Sequence, residues 1–504
     1  TQHDPALARA VEALPPIIYA TKQFLPQPDR FAQLGPAAVQ GGALVYVKSP
    51  EGNDHLAWVA PNGEAVTESQ FAILRAAACG PDEPALERAE NHHELVAIGL
   101  KLAVVQDRTV GGGLGRPSSP RRRCYDRLKE YSRSLRSTLF ADDELELALE
   151  NCLSCRACAT ECPSNVNLPL LKAELLHAKH LRHGVPLKAR VLSRVDWLGW
   201  LGTRVPGMAN RMLNRPWVRR GMKSVLGLTD KRPLPAFAPE TFDRWWRRYI
   251  KRRPSGKTAG PTSRGPVLLW IDCFSRYYEP EIARAAVVVL ESAGYEVIIP
   301  EGTVCCGRPA FSMGRLDLAR SMGARNIEAL RRWPWDVVFL EPSCGSMFLE
   351  DYRELNLSGA DDLAKRTYSF ELFVDRLLEQ DPAALRWNGR AGRCAMHVHC
   401  HAKAAVPPER FRRAASKVPG AEVTLLDTGC CGMAGAFGAM EDKYSLSVQV
   451  AQPLIDLVNG LAEDVDLLVS GTSCRQQLTH LTARKPVHFA QWLASRIDIH
   501  GFLD

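Results

Sequence analysis

Cys152, Cys155, Cys158 and Cys162 stand in the spacing C-x2-C-x2-C-x3-C, with Pro163 directly after the last. Thiolates on so tight a loop each reach one corner of a [4Fe-4S] cube, and in two-cluster proteins the fourth cysteine of such a run ligates the other cluster. A zinc knuckle is the rival chemistry, but zinc sites usually pair two CxxC units or add histidines at a distance. No second run of this kind occurs in the sequence. The fourth ligand is therefore Cys162, a remote cysteine such as Cys124, or a cysteine of a partner run upstream of Thr1.

A second constellation occurs twice. Cys273, Cys305-Cys306-Gly307 and Cys344 are matched in order and spacing by Cys400, Cys430-Cys431-Gly432 and Cys474. Several of these elements follow short apolar runs: Val267 to Ile271 before Cys273, Val337 to Leu340 before Cys344, Val423 to Leu426 before Cys430, and Leu467 to Val469 before Cys474. The carboxyl edge of an open parallel sheet is where such folds bind ligands, so these thiols would share a crevice as a metal or redox site. Isolated cysteines often bury as small apolar groups. Two adjacent pairs, each followed by glycine, fit that reading poorly. His399 and His401 flank Cys400 and, if the segment is extended, share a face opposite the thiol. They are candidates for tuning or proton-coupling the site without ligating it, or for ordinary hydrogen-bonded histidines near a sheet edge.

Other motifs fail on their own terms. Gly256-Lys257-Thr258 resembles the end of a phosphate-binding loop, but the required glycine five positions earlier is Lys251. The glycines at 111 to 115 follow no clear strand, and Arg116-Pro117 replaces the last glycine of a dinucleotide fingerprint. Fifteen cysteines in 504 residues, many of them clustered, favour metal over disulfides. With 46% hydrophobic and 24% charged residues the chain is globular, and its net charge of +8 suits an acidic partner, an anionic membrane or nucleic acid without choosing among them. The given residues open with no charged segment followed by an apolar one and contain no apolar run long enough to span a bilayer, so the expectation is a cytoplasmic protein, with peripheral contact at the inner face of the membrane compatible with it. The first residue is Thr1 rather than Met, and a longer natural polypeptide is expected.

Positioning these cysteines requires several units, because the length exceeds one ordinary core. Residues 1–138 read as a small α+β module of unknown role. It holds a hairpin of Ala43 to Lys48 and His55 to Val59 around Glu51-Gly52-Asn53, helices over Glu68 to Ala77 and Glu90 to Gln106, and the basic stretch Arg121 to Arg123. Residues 139–190 read as a helical Fe-S domain, with helices over Asp142 to Asn151 and Leu168 to His183 bracketing the run and Gly184 as terminator. Residues 191–265 form a basic connector rich in Trp and Pro, where Trp245, Trp246 and Tyr249 lie among arginines and could touch lipid or a partner. A plain solvated face is the simpler reading of that segment. From Pro266 onward, β-branched strands alternate with helices as in a parallel α/β sheet, forming repeats at 266–390 and 391–504. Val267 to Ile271, the helix Pro280 to Ser292 capped at Gly294, and Tyr295 to Ile299 compose the first βαβ unit.

Cys305-Cys306-Gly307, Gly429-Cys430-Cys431-Gly432-Met433-Ala434-Gly435, Glu341-Pro342-Ser343-Cys344, His399-Cys400-His401 and Gly471-Thr472-Ser473-Cys474 resemble the motifs of paired CCG domains. Such domains occur in one subunit of heterodisulfide reductase, in glycolate oxidase and lactate-utilisation iron-sulfur subunits, and in the iron-sulfur subunit of anaerobic glycerol-3-phosphate dehydrogenase. The similarity is greatest to the Fe-S tails of FAD-linked 2-hydroxyacid dehydrogenases, and it covers the chain from about Leu145 to the end. It implies a ferredoxin-like [4Fe-4S] domain followed by two tandem CCG repeats, an α+β and α/β multidomain fold. One cluster or redox site would use Cys273, Cys305, Cys306 and Cys344, and the other Cys400, Cys430, Cys431 and Cys474. The second cysteine that ends each repeat in heterodisulfide reductase is absent, since Gly345-Ser346-Met347 follows Cys344 and Arg475-Gln476-Gln477 follows Cys474. Residues 1–138 faintly resemble the C-terminal tails of bacterial Swi/Snf-type helicases.

The resemblance implies an iron-sulfur electron-transfer component that takes electrons from FAD on a partner domain or subunit and passes them to a quinone or carrier. Its donor would oxidise lactate, glycolate or 2-hydroxyglutarate, and the chain would not be catalytic without a flavin domain. The alternative is a nucleic-acid-associated protein with a structural metal, resting on the basic segments alone.

Overall fold

The structure, a computed structural model, describes residues 43–48, 54–59, 149–158, 167–252 and 264–498. It divides into two compact units, Thr1–Asp142 and Asp143–Asp504. In the first, β1 (Ala43–Lys48) pairs antiparallel with β2 (Asp54–Val59), Ala43 opposite Val59 and Lys48 opposite Asp54, as the hairpin reading expects. The connecting residues 49–53, the helices expected over Glu68 to Ala77 and Glu90 to Gln106, and Arg121 to Arg123 lie outside the described residues.

The second unit holds two parallel sheets of the same plan. β3 (Gly265–Trp270), β4 (Tyr295–Ile298), β5 (Val337–Phe339) and β6 (Thr367–Ser369) lie in the order β4-β3-β5-β6. β7 (Gly392–Met396), β8 (Ala421–Leu425) and β9 (Asp466–Leu468) repeat it as β8-β7-β9, and Val487 adds a parallel bridge beside Leu468. In each sheet the first strand is central and the order reverses beside it, which opens a crevice at its carboxyl end.

Strand alternation then joins the repeats. On β3, Val267 and Leu269 enter a core shared by both repeats, while Leu268 and Trp270 enter a core that the first repeat shares with Ala173 of helix Leu168–His183. On β7, Cys394 and Met396 enter the shared core and Ala395 the second repeat's own. Helix Pro280–Ser292 packs on helix Phe489–Ala494, and Phe370–Gln380 on Pro408–Ser416, so each sheet is covered partly by the other repeat's helices. A mixed α/β architecture is thereby observed.

The stretch expected to be a connector folds into short helices: Leu187–Leu192, Val195–Gly202, Pro206–Leu213, Pro216–Leu226 and Phe242–Arg252. In the last, Phe242, Trp245, Trp246 and Tyr249 recur at helical spacing and pack against the shared core, while Arg244, Arg247 and Arg248 are exposed. Its aromatics therefore face inward rather than toward a partner. The bracketing helix Leu168–His183 is present with Asn167 at its N-cap accepting from the Leu170 amide at 3.1 Å and Gly184 beyond its end. No helix among the described residues is long and apolar enough to cross a membrane.

Two contacts fix the assembly and can be measured. Gly314 (φ +67°) meets helix Leu168–His183 so closely that an added Cβ would fall 2.3 Å from Leu176 Cβ and 2.9 Å from the His177 nitrogen. Gly314→Ala should cost about 2 to 4 kcal/mol in urea unfolding, whereas Gly389→Ala (φ +79°, open space) should cost about 1. His488 caps helix Phe489–Ala494 by accepting from the Ala490 amide at 3.0 Å and donates Nε2–H to the Leu340 carbonyl at 3.1 Å. Burial, then Arg475, lower its pKa to about 3, so the folded protein holds it neutral. Below pH about 6.5 the unfolded chain takes up a proton that the fold refuses, and stability falls as pH drops toward 3. His488→Asn should remove one proton's share of that slope, about 1.4 kcal/mol per pH unit, between pH 6 and 4.

Candidate metal centres

The first quartet sits at the carboxyl edge of the first sheet. Asp272 ends the segment after β3 and caps the turn Cys273–Tyr277, its Oδ1 accepting from the amides of Phe274 (2.8 Å) and Ser275 (3.0 Å). Cys344 lies on helix Pro342–Ser346 after β5, with Glu341 as N-cap. Its Sγ is 3.1 Å from that of Cys306. Cys305 lies within hydrogen-bonding reach of Cys273 and Cys306, so the four sulfurs form a continuous series. Gly307 takes φ +89° with its missing Cβ facing Ala319 at 3.3 Å, which turns the chain sharply after the cysteine pair. Asn326 and Tyr352 hold that loop: Asn326 Nδ2 donates to the Cys305 carbonyl (3.0 Å) and Tyr352 Oη to the Cys306 carbonyl (2.7 Å).

The second quartet repeats the design. Cys400 opens helix Cys400–Ala405 after β7, Cys430 and Cys431 follow β8, and Cys474 lies on helix Thr472–Leu481 after β9. Thiol contacts run from Cys400 to Cys430, Cys431 and Cys474. Gly432 (φ +78°) again follows the pair, and a Cβ there would lie 2.2 Å from the Ser447 carbonyl. Its amide donates to Cys430 Sγ at 3.4 Å.

The histidines depart from expectation. Strand β7 stops at Met396, and His399 is the N-cap of the next helix, its Nδ1 accepting from the His401 amide at 3.1 Å and lying 3.9 Å from Cys400 Sγ. The segment turns rather than extends, so His399 stands beside the thiol instead of opposite it. Burial would lower the His399 pKa, but Cys400 and Glu341 outweigh that and hold it above the ordinary value. His401 is driven well below its own by burial and Arg308.

The Cys152 run docks between the repeats. Ser154 (φ +52°) and Arg156 (φ +68°) adopt left-handed conformations, each costing about 1 to 3 kcal/mol, and the Ser154 amide points at Cys152 Sγ at 3.4 Å. Neutral His401 bridges the docked parts: Nε2–H donates to the Ser154 carbonyl (2.9 Å), and Nδ1 accepts from Ser346 Oγ of the first repeat (2.7 Å). Arg156 is buried against Asp351 (2.8 Å) and Glu350, and Arg308 grips Asp351 from the other side. Burial, with smaller pushes from Cys400, Cys152 and Cys158, raises the Cys155 thiol, so the run and the second quartet sense each other's charge. Cys162, Pro163 and Cys124 lie outside the described residues.

The donor set fits a polynuclear metal-sulfur group. Most of these thiols resist ionisation: hydrogen bonds to Cys305 and Cys344, then burial, push Cys306 well up, and the lowering contact of Cys306 on Cys344 is outweighed only by burial together with Asp272, Glu341 and Cys305, which push it up to about 11; Cys305 alone is lowered, by its contacts with Cys273 and Cys306. Beside Cys431, Arg232 donates Nε–H to the Gly438 carbonyl at 3.1 Å, but both of its terminal nitrogens are buried without a partner. An orphaned guanidinium next to buried sulfur suits a net-negative group held by thiolates. Among the described residues, no three or more Cys, His, Asp or Glu side chains are arranged to hold a single metal ion.

Comparison with known proteins agrees with this geometry. The family model of the cysteine-rich domain, CCG, matches residues 267–349 and 394–479, the two segments that carry the quartets. Both repeats are cysteine-rich CCG domains. The chain is 25% identical to D-2-hydroxyglutarate dehydrogenase of Pseudomonas putida over 68% of its own length and 33% of that protein's. It is 25% identical to the C subunit of the anaerobic glycerol-3-phosphate dehydrogenase of Escherichia coli, over 62% of this chain and 77% of that protein. It is 28% identical to lactate utilization protein A 2 of Bacillus cereus over 36% and 76%. The match thus spans about a third of the D-2-hydroxyglutarate dehydrogenase. These relatives connect the CCG domains to oxidoreductases.

The docking of the run should be measurable. Arg156→Met leaves two carboxylates short of a buried cation and should cost about 3 kcal/mol in urea unfolding, with partial recovery in Arg156→Lys. A change below about 0.5 kcal/mol would mean the contact behaves as a surface ion pair.

Proposed function

We propose that this chain is the iron-sulfur electron-transfer component of a flavin-linked 2-hydroxyacid dehydrogenase system, passing electrons from FAD on a partner domain or subunit to a quinone or carrier. The observation that supports it is the gathering of two cysteine quartets at equivalent sheet edges, with the loop of Cys152, Cys155 and Cys158 docked beside them. Residues Cys273, Cys305, Cys306 and Cys344 would hold one group, and Cys400, Cys430, Cys431 and Cys474 another. Cys152, Cys155 and Cys158, with Cys162 or another fourth ligand, would hold a [4Fe-4S] cluster.

When bound, such a cluster supplies one-electron chemistry whose potential follows its charge, hydrogen bonds to sulfur and exposure. The protein's own part is to set those terms. Amides of Ser154 and Gly432 aim at cysteine sulfur, Arg232 brings uncompensated positive charge, and His399 lies against Cys400. The relatives' names supply the substrate class: one is a D-2-hydroxyglutarate dehydrogenase and another a lactate utilization protein. A flavoprotein partner and a cytoplasmic site are part of the same reading.

The deciding measurement is iron, acid-labile sulfide and zinc on anaerobically purified chain. Iron and sulfide in matched amounts, with broad visible absorbance and an EPR signal on reduction, are expected. Cys306→Ala and Cys431→Ala should each lose one group's share of iron and sulfide while the other two shares remain. Stoichiometric zinc, or a colourless chain without metal, overturns the proposal.

A further inference from the structure

Among the described residues twelve large apolar side chains are exposed, and nine of them fall between Leu187 and Val225. The four short helices of that stretch account for their placement. On Val195–Gly202, Gly199 and Gly202 press into the protein, where added Cβ atoms would strike Tyr277 at 2.5 Å and Phe237 at 2.3 Å. The opposite face carries Trp197, Trp200 and Leu201, exposed by 49, 44 and 46%. Met208 and Met212 form an exposed i, i+4 pair on Pro206–Leu213. Trp217 and Val225 lie on one stripe of Pro216–Leu226 with exposed Gly221 between them. Successive helices of the last three pack on one another, and Leu187–Leu192 packs on Pro216–Leu226, so the exposed stripes belong to one helical layer.

Charge accompanies the apolar groups. Residues 187–226 carry nine Lys or Arg and a single acid, Asp196, which Arg194 already engages at 3.1 Å. Arg190, Arg204, Arg211, Arg215 and Arg220 are exposed, and the Arg204 guanidinium stacks 4.0 Å over the Trp200 ring. Three exposed tryptophans, flexible methionines and a near-absence of acid describe a surface that inserts apolar tips among headgroups while its cations meet negative charge. Protein interfaces also gather Trp, Met and Arg, but nine cations against one acid across four helices suit a partner that is negative throughout, as an anionic bilayer is.

We propose that the outer face of residues 187–226 docks this protein on an anionic phospholipid bilayer. The helices lie along the surface without crossing it. Neither the cysteine sites nor the electron-transfer reading enters this inference, and vesicle binding is read independently of metal content.

The test is co-sedimentation of the full chain with phosphatidylcholine vesicles and with vesicles of phosphatidylglycerol and phosphatidylcholine mixed one to two. At low salt the anionic vesicles should carry at least about tenfold more protein than the neutral ones, and raising ionic strength should release it as cations are screened. Trp197→Ser combined with Trp217→Ser should lower the bound fraction about tenfold. Arg204→Glu combined with Arg220→Glu provides a second variant that spares the apolar tips and should weaken anionic binding alone. Leu457→Ser, at an exposed apolar residue of the second repeat, should leave binding unchanged. Unfolding midpoints equal to that of the parent show that the variants fold. Absence of anionic vesicle binding at low salt overturns the proposal, as does binding that both variants leave intact. Concentration-dependent self-association lost in the tryptophan variant, without vesicle binding, assigns the face to a second copy and also overturns it.

Discussion

Sulfur gathered away from water needs positive charge close by, and that requirement governs the second unit of this protein. Each quartet draws its thiols from the ends of three strands, and neighbouring sulfur together with burial opposes ionisation at most of them, Cys306 and Cys400 among them. The fold places donors against sulfur: the Gly432 amide at Cys430, the Ser154 amide at Cys152 of the docked loop, and beside Cys431 a buried guanidinium at Arg232 whose terminal nitrogens find no oxygen. Glycine at the turn after each cysteine pair is the backbone side of the same demand. At Gly432 a side chain would collide with the Ser447 carbonyl, and at Gly307 with the Ala319 backbone.

Two quartets could float independently if only apolar packing joined the repeats, but Glu341 ties their last elements together. One carboxylate oxygen caps the helix that carries Cys344, and the other accepts from the Thr472 amide at 2.8 Å, at the start of the helix that carries Cys474. Burial would raise its pKa, yet His399, the Thr472 amide and Arg475 hold it low, so it remains a charged acceptor. Arg475 in turn reaches Glu279 across the repeat boundary at 2.6 Å. The shared core formed by one face each of β3 and β7 makes this polar junction rigid.

The sequence makes the cysteine geometry readable because thiols at fixed intervals after β-branched runs can lie only at strand ends. Four of those runs are within a residue or two of observed strands, and helix Pro280–Ser292 has the expected bounds. Contacts between distant residues were not readable. Asn326 and Tyr352 supporting the Cys305-Cys306 loop, Arg156 reaching Asp351, and Arg232 lying beside Cys431 have no local signature. The aromatic helix Phe242–Arg252 was readable in principle, since positions 242, 245, 246 and 249 trace one helical face. Its arginines drew attention to composition where periodicity held the answer.

The repeats share a plan but differ where it counts. Asp272 and His399 are equivalent N-caps, and the residues two further on are Phe274 and His401. Phe274 lies tilted against Tyr278 at 5.2 Å and has no proton to offer, whereas His401 donates to the Ser154 carbonyl. The two repeats are therefore not interchangeable. A chain assembled from two first halves would keep its sheets and sulfurs yet lose the berth for the Cys152 loop, so the difference at this one position gives a symmetric scaffold a front and a back.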